Sequence, residues 1–426
     1  MPAHSHWWSA SMKIAALVSL LPLLSQASPT PSLSGTKISL TKRSSVVKNG
    51  VVNMNGLQSH IQQIQGKIAR GLANYEKNTG KVHPNYRNTT TTTRKRATGT
   101  VALTDDDNEL WQGNIQVGTP PVQFAVDFDS GSSDLFLPGP DCGQTCDGHT
   151  VYDPSQSSTS KDAGQNFQLA FGDGSTVEGK QFTDTITIGG LSATGQAVGA
   201  ATQYSDGFEE ANFPPDGLMG MAFQSISEFN KAPVFQSLLD QQQTTQGAFG
   251  FTLLETSDSE LFLGGVDTSK ISGDLTFTPV TQEGFWQISV DGADVGGQSV
   301  SSTQDAIVDT GTTLLIADTQ TVDSIIKAVP GAQDAGQGFF TFPCDSAPGN
   351  IALTLGGKQF TLSGDSINLG QAEEGSSDCL SGIIADDSQG FWILGDVFLR
   401  NVYTSDRITH QAFDVDNSQV GFGDLA

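Results

Sequence analysis

Apolar and polar positions alternate through Val122, Phe124, Val126 and Phe128, the pattern of a strand with one buried face, and this segment ends in Asp129-Ser130-Gly131. A second apolar segment, Ala306-Ile307-Val308, runs without interruption into Asp309-Thr310-Gly311. Asn114 to Val117 reads as a further strand, joined to the one at Val122 by a turn at Thr119-Pro120-Pro121. Helical spacing is rarer. Leu57, Ile61, Ile64, Ile68 and Leu72 recur every three or four positions and predict a helix over Gly56 to Leu72, able to cover a groove. Shorter helices are expected over Pro233 to Gln242 and over Thr319 to Val329, the latter capped by Asp318 and stopped by Pro330-Gly331. Near the start, Lys13, the apolar run Ile14 to Leu24 and Ser25-Gln26-Ala27 have the layout of a secretory signal over residues 1–27. The run is too short for a membrane span. The residues before Met12 are foreign to such a signal, so Met12 is the expected initiator.

A lone Asp-Ser/Thr-Gly is usually an ordinary turn, because Asp and Gly both favour turns. Two copies in matched surroundings point further. Roughly ninety residues after each Asp comes an apolar pair followed by Gly, Leu218-Met219-Gly220 in one case and Ile393-Leu394-Gly395 in the other. A duplicated half-molecule, each half presenting one Asp at a strand tip, explains this spacing.

On these residues the chain resembles the pepsin family of aspartic peptidases, and its fungal secreted members in particular. Leu261-Phe262-Leu263-Gly264-Gly265-Val266-Asp267, then Gly284-Phe285-Trp286-Gln287-Ile288, and the closing segment from Phe391 to Thr404 follow that family in order and spacing. The resemblance covers everything from about residue 100 onward. It implies an all-β, bilobal pepsin-like fold: two pseudo-symmetric β-barrel-like lobes, 97–270 and 271–426, with a few short helices and a cleft between them. The 48 glycines and the short apolar runs suit such a fold.

Charge divides the chain sharply. The formal net charge is −25, which excludes nucleic acid as a natural partner. Thirteen of the 21 Lys and Arg precede Ala97, where Glu76 is the lone acid. An acidic body of this kind favours work at low pH, where its self-repulsion falls. Residues 28–96 are basic, poor in aromatics and without paired strand signals, and Ile38 to Arg43 resembles the opening of a pepsin-family propeptide. The polar run Thr89 to Thr93 leads into Arg94-Lys95-Arg96, a multibasic processing site. A basic leader over an acidic cleft is held by charge attraction that fades as carboxylates protonate, so acid-triggered release is expected, with Lys81 or Arg87 beside the catalytic pair. Asn88-Thr89-Thr90, a glycosylation sequon, lies in the part to be removed. The C-terminus has no apolar tail, which argues against a lipid anchor.

Acid proteolysis follows partly by elimination. Only His149 and His410 lie in the mature part, with no His-Glu-x-x-His helix and no Gly-x-Ser-x-Gly elbow. Two carboxylates in equivalent loops remain. Facing each other, Asp129 and Asp309 would share one proton; the ionised member would take a proton from an attacking water and the protonated one would donate to the peptide carbonyl. No metal, cofactor or covalent intermediate is required. The resemblance implies that Ser130 and Thr310 bond across the junction and that Ser132 and Thr312 donate to the outer carboxylate oxygens. Gly131 and Gly311 let backbones approach closely. Four cysteines allow three pairings; the resemblance supports Cys142 with Cys146 and Cys344 with Cys379.

Gln168 to Gly174 resembles the hairpin that closes over substrate, but Phe171 stands where the family usually has Tyr and Phe136 where it usually has Trp. Both polar atoms of the family's hydroxyl-to-indole bond are absent together, so an apolar Phe171–Phe136 contact can replace it at small cost. Gly172 and Asp173 complete the flap tip. Asp173 and Asp127 add charge beside an S1 subsite walled by Phe124, Phe213 and Leu218. Some fungal members with Asp at the flap position accept Lys there, so Lys or Arg at P1 is expected beside large apolar residues. The whole reads as a monomeric, secreted or lytic-compartment aspartic endopeptidase zymogen. Its partners are polypeptide substrates, its own propeptide as an intramolecular inhibitor, and pepstatin-type inhibitors. The alternative is a pepsin-fold secreted binding protein with weakened catalysis.

Overall fold

The computed structural model describes residues 35–43, 47–48, 50–86, 110–170, 175–210, 212–244, 246–254, 259–400 and 410–425. The expected signal, Arg87, the sequon, Arg94-Lys95-Arg96 and the expected flap tip from Phe171 to Gly174 lie outside them.

The alternating segment forms the strand Val122–Asp129, with Phe124, Val126 and Phe128 buried. It pairs antiparallel with Leu110–Val117 and parallel with Gly217–Gly220, which sets Asp129 opposite Gly220. Leu135–Pro138 then packs antiparallel to Gly217–Gly220. The second half repeats the arrangement. Gln304–Val308 runs parallel to Trp392–Leu394, and Leu315–Ala317 runs antiparallel to it. Even the hydrogen bonds correspond: Gly220 N–H donates to the Asp134 carbonyl at 2.9 Å and Gly395 N–H to the Leu314 carbonyl at 3.1 Å. A Cβ on Gly220 would lie 2.3 Å from Ser133 N, and one on Gly395 2.1 Å from Thr312 O, so only glycine lets the two chains pass there. The repeated apolar-apolar-Gly is therefore the strand that threads beside each Asp loop.

The Asp129 strand belongs to an eight-stranded sheet, partly closed by a second pairing of Leu110–Val117 with Thr176–Ile188. Asp309 follows a strand of a separate six-stranded sheet. A third sheet takes Ala248–Thr252 and Glu260–Leu263 from one half and Ile271–Pro279, His410–Asp414 and Gln419–Leu425 from the other. This is an all-β, bilobal pepsin-like fold with few helices. Two buried indoles tie its halves: Trp111 Nε1 donates to Asp396 Oδ1 at 2.9 Å, and Trp286 Nε1 to the Met221 carbonyl at 3.1 Å. The expected short helices form over Val234–Asp240 and Thr319–Ala328, and the Asp318 side chain caps the latter by accepting from Thr321 N. Disulfides join Cys142 to Cys146 and Cys344 to Cys379.

The leader departs from expectation in two ways. Far from lacking paired strands, it supplies four, Thr36–Ser39, Thr41–Arg43, Val47–Lys48 and Val51–Val52. They pair with Glu260–Leu263, with Leu110–Gln112, with each other, and with Gln371. Strands of two to four residues carry no readable alternation, and sheet edges of the body supply their partners. The helix is also longer than its apolar stripe: α1 spans Met54–Thr79, begins with the Asn53 side chain accepting from Asn55 N and Gly56 N, and stops at Gly80 in the left-handed conformation, φ 71°. It lies so close to the body that a Cβ on Gly71 would meet Phe285 Cζ at 2.5 Å.

Candidate active site

The two triplets meet at the junction of the halves. Ser130 N–H donates to Thr310 Oγ1 at 3.0 Å and Thr310 N–H to Ser130 Oγ at 2.9 Å. Each hydroxyl then donates onward across the junction, Ser130 to the Val308 carbonyl at 3.0 Å and Thr310 to the Phe128 carbonyl at 2.7 Å. All these groups are buried, so the four bonds satisfy one another and fix the loops as a unit.

Each carboxylate is held in the same way. Gly131 N–H donates to Asp129 Oδ1 at 2.9 Å and Ser132 Oγ to Asp129 Oδ2 at 2.5 Å. In the partner loop Gly311 N–H donates to Asp309 Oδ1 at 3.0 Å and Thr312 Oγ1 to Asp309 Oδ2 at 2.6 Å. A Cβ on Gly131 would lie 2.4 Å from Asp309 Oδ1, and one on Gly311 2.4 Å from Asp129 Oδ1. Each glycine thus makes room for the opposite acid.

Between the carboxylates lies Lys67 of α1. Its Nζ is 3.0 Å from Asp129 Oδ1, 2.9 Å from Asp309 Oδ1 and 2.8 Å from Asp309 Oδ2, with the side chain 7% exposed. Lys81, one of the two expected cations, does not take this place. Lys81 is exposed beyond the helix end, and Arg87 is outside the described residues. The physical reason is the helix itself: Lys67 shares the buried face with Ile64 and Ile68, and α1 carries that face over the dyad. Burial would raise both acids. At Asp129 the Lys67 charge and the Ser132 bond outweigh it and hold the carboxyl below the usual range. At Asp309 burial prevails over Lys67, with repulsion from Asp129 added, and lifts it to about 6. Burial works against the Lys67 charge too, but the two carboxylates keep it protonated.

On one side of Lys67 a cavity is lined by Asp127, Phe213 and Leu218, together with Phe208 and, from the leader, His60 and Ile64. Asp127 is 1% exposed, its Oδ1 has no hydrogen-bond partner, and burial followed by repulsion from Asp129 raises it well above the ordinary carboxylate value. Phe124 is not part of this wall. In a strand of period two it points to the face opposite Asp127 and packs edge-on to Tyr152 in the core. On the other side, Ser132, Asp134, Phe136, Leu169 and Ile226 line a second cavity, which Arg70 of α1 enters. Arg70 Nη1 donates to the Ala170 carbonyl at 2.6 Å, where the described part of the flap strand ends. Phe136 sits edge-on to Tyr204 and Phe208, 6.0 and 5.8 Å between ring centres. Its expected contact with Phe171, and the places of Gly172 and Asp173, lie outside the described residues.

Sequence reasoning missed Lys67, Phe208 and the Trp111–Asp396 link. A cation inside the apolar stripe of α1 was the one available signal for Lys67; Phe208 stands in a short turn with no periodicity to mark it.

Residues 110–425 match the family described as eukaryotic aspartyl protease. The chain is 38% identical to an aspartic protease of Phaffia rhodozyma over 338 residues, 77% of this chain and 80% of that one. It is 39% identical to syncephapepsin of Syncephalastrum racemosum over 314 residues, 72% and 77% of the two chains. With aspergillopepsin-1 of Aspergillus flavus the identity is 36% over 335 residues, covering 76% and 79%. The chain belongs to the eukaryotic aspartyl protease family and is an aspartic-type endopeptidase.

Proposed function

We propose that this endopeptidase is made as a zymogen and hydrolyses polypeptides at acid pH through Asp129 and Asp309. A signal over 1–27, a propeptide over 28–96 cut after Arg94-Lys95-Arg96, and lobes over 97–270 and 271–426 make up the precursor. What carries the reading is the single Lys67 ammonium shared by two buried carboxylates in duplicated loops. While that ammonium stands between the acids, no peptide can reach them, so the leader is the inhibitor of its own chain.

With the leader gone, the pair keeps one proton over an intermediate pH range. A water held between the carboxylates gives a proton to the ionised member as it attacks the peptide carbonyl. The protonated member donates to the carbonyl oxygen; on collapse of the tetrahedral intermediate that oxygen's proton returns to it, and the member that took the water proton gives it to the nitrogen of the leaving amine. The bonds from Gly131, Ser132, Gly311 and Thr312 keep both acids aimed throughout.

The cavity with Asp127, Phe213 and Leu218 is the S1 subsite in this reading, and Asp173 is expected from the sequence to add a second carboxylate to it. Its apolar wall suits large apolar P1 residues, and its carboxyl suits Lys or Arg. Pepstatin-type inhibitors would occupy the same cleft. The enzyme acts outside the cell or in a lytic compartment as a monomer; among the described residues no helix is long and apolar enough to cross a membrane. Cleavage of denatured haemoglobin or casein by processed protein tests this. Acid-dependent cleavage abolished by pepstatin and by Asp129→Asn is the expected result; processed protein that binds pepstatin yet stays inert would favour a binding protein instead.

A further inference from the structure

Beyond α1 the leader is fastened a second time, at His83-Pro84-Asn85. Asn85 Nδ2 donates to Asp305 Oδ2 at 2.8 Å and to the Gly390 carbonyl at 3.1 Å, and its Oδ1 accepts from Gln287 Nε2 at 3.1 Å. The fit is close, since a Cβ on Gly390 would lie 2.1 Å from the Asn85 carbonyl oxygen. His83 holds this turn from within. Its ring is 1% exposed and sits edge-on to three aromatic rings, Tyr75 of α1 at 5.0 Å, Phe285 at 6.3 Å and Phe391 at 6.4 Å. Nδ1 accepts from Asn85 N–H at 3.3 Å, and Nε2 has no hydrogen-bond partner. That is a site for neutral imidazole. A second proton would place a donor against the Asn85 N–H and a full charge among three aromatic rings.

We infer that His83 is a proton sensor that loosens the leader in mild acid, an inference resting on the reading of residues 28–96 as an acid-released propeptide. The pair of Lys67 with Asp129 cannot set such a threshold, because Asp129 is held below the usual carboxylate range and stays ionised until the medium is strongly acid. A histidine titrates between the two regimes. Two titratable groups face the ring. Asp305, anchored through Asn85, favours the charged form, and the Tyr75 hydroxyl accepts from Gln282 Nε2 at 2.8 Å. Burial exceeds the pull of Asp305 and lowers His83 from its ordinary value. The attached leader therefore binds fewer protons than the free one. Attachment is full above the ordinary histidine range of about 6.5 and weakens below it, by up to about tenfold per pH unit until the lowered value is reached.

The test uses the full chain cut at Arg94-Lys95-Arg96, with bound and free leader separated by gel filtration from pH 7 to pH 3. His83→Phe keeps a ring in the pocket but cannot take up a proton. Its release midpoint should fall about one pH unit or more below that of wild type. An unchanged midpoint overturns the role of His83 while leaving acid release intact. Failure of the wild type to release its leader at any of these pH values overturns the propeptide reading and this inference with it. Should His83→Phe not fold, deuterium exchange at His83 Cε1 in the unaltered complex and in the free leader peptide decides the matter. A bound titration below the free one supports the inference, and one at or above it contradicts it.

Discussion

Lys67 Nζ stands 2.8 Å from Asp309 Oδ2, so a side chain of the leader occupies the space between the two acids to which we assign catalysis. Breaking a buried ion pair typically costs about 3–5 kcal/mol, less here because the two carboxylates left behind can retain a proton between them. Lys67→Met should therefore weaken attachment of the cut leader, and gel filtration at neutral pH should find it partly free where the wild-type leader stays bound.

The leader is also sensitive to pH through the dyad. Asp129 is lowered by the attached leader, so its contribution to attachment is present above the ordinary carboxylate range and is lost as pH falls through the lowered value. Lys67→Met should flatten this strongly acid part of the release curve and leave the part due to His83 in place.

A methyl group at Gly131 would press on Asp309 from 2.4 Å, and the neighbour is a carboxylate oxygen that cannot yield without leaving its position in the proposed dyad. Gly131→Ala should lower kcat about a hundredfold, the usual result of displacing a reacting group by an ångström, with a smaller change in KM. Steady-state kinetics on a peptide substrate would show this.

Thr310 Oγ1 both accepts from Ser130 N–H and donates to the Phe128 carbonyl. Thr310→Val would strand these two buried groups at about 1–3 kcal/mol each, whereas Thr310→Ser retains the hydroxyl. Thermal unfolding should show a clear drop in Tm for the first variant and a small one for the second.

With the leader attached, burial and then Asp129 raise Asp127 well above the ordinary carboxylate value, and a substrate ammonium entering its cavity would favour the ionised form. Asp127→Val and Asp173→Ser should each reduce kcat/KM for Lys at P1 about tenfold relative to Phe at P1, equivalent to about 1.4 kcal/mol. An unchanged Lys-to-Phe ratio in both variants would remove the carboxylates from the specificity.

The sequence disclosed most where local pattern and chemistry coincide. Alternation through Val122 to Phe128 placed a strand, the triplets placed its acid, and the apolar-apolar-Gly echoes marked the threading strands beside them. Long-range pairing was less visible. The leader strands exist because edges of the body pair with them, and nothing in Val47-Lys48 or Val51-Val52 announces that. Lys67 escapes notice because a lysine in an apolar stripe looks like an interruption until the stripe is laid over two carboxylates. The apolar character of Phe124 suits a subsite wall, but the parity of its own strand turns it to the core.

The pH dependence of kcat/KM for processed enzyme on a short peptide addresses the shared proton directly. Activity should rise as one of the two acids ionises in strong acid, and fall as the second, raised by the charge of the first, loses its proton. Asp309→Asn should abolish turnover across the range. A rate that climbs steadily through neutral pH, or an Asp309→Asn enzyme that retains it, would contradict a dyad sharing one proton.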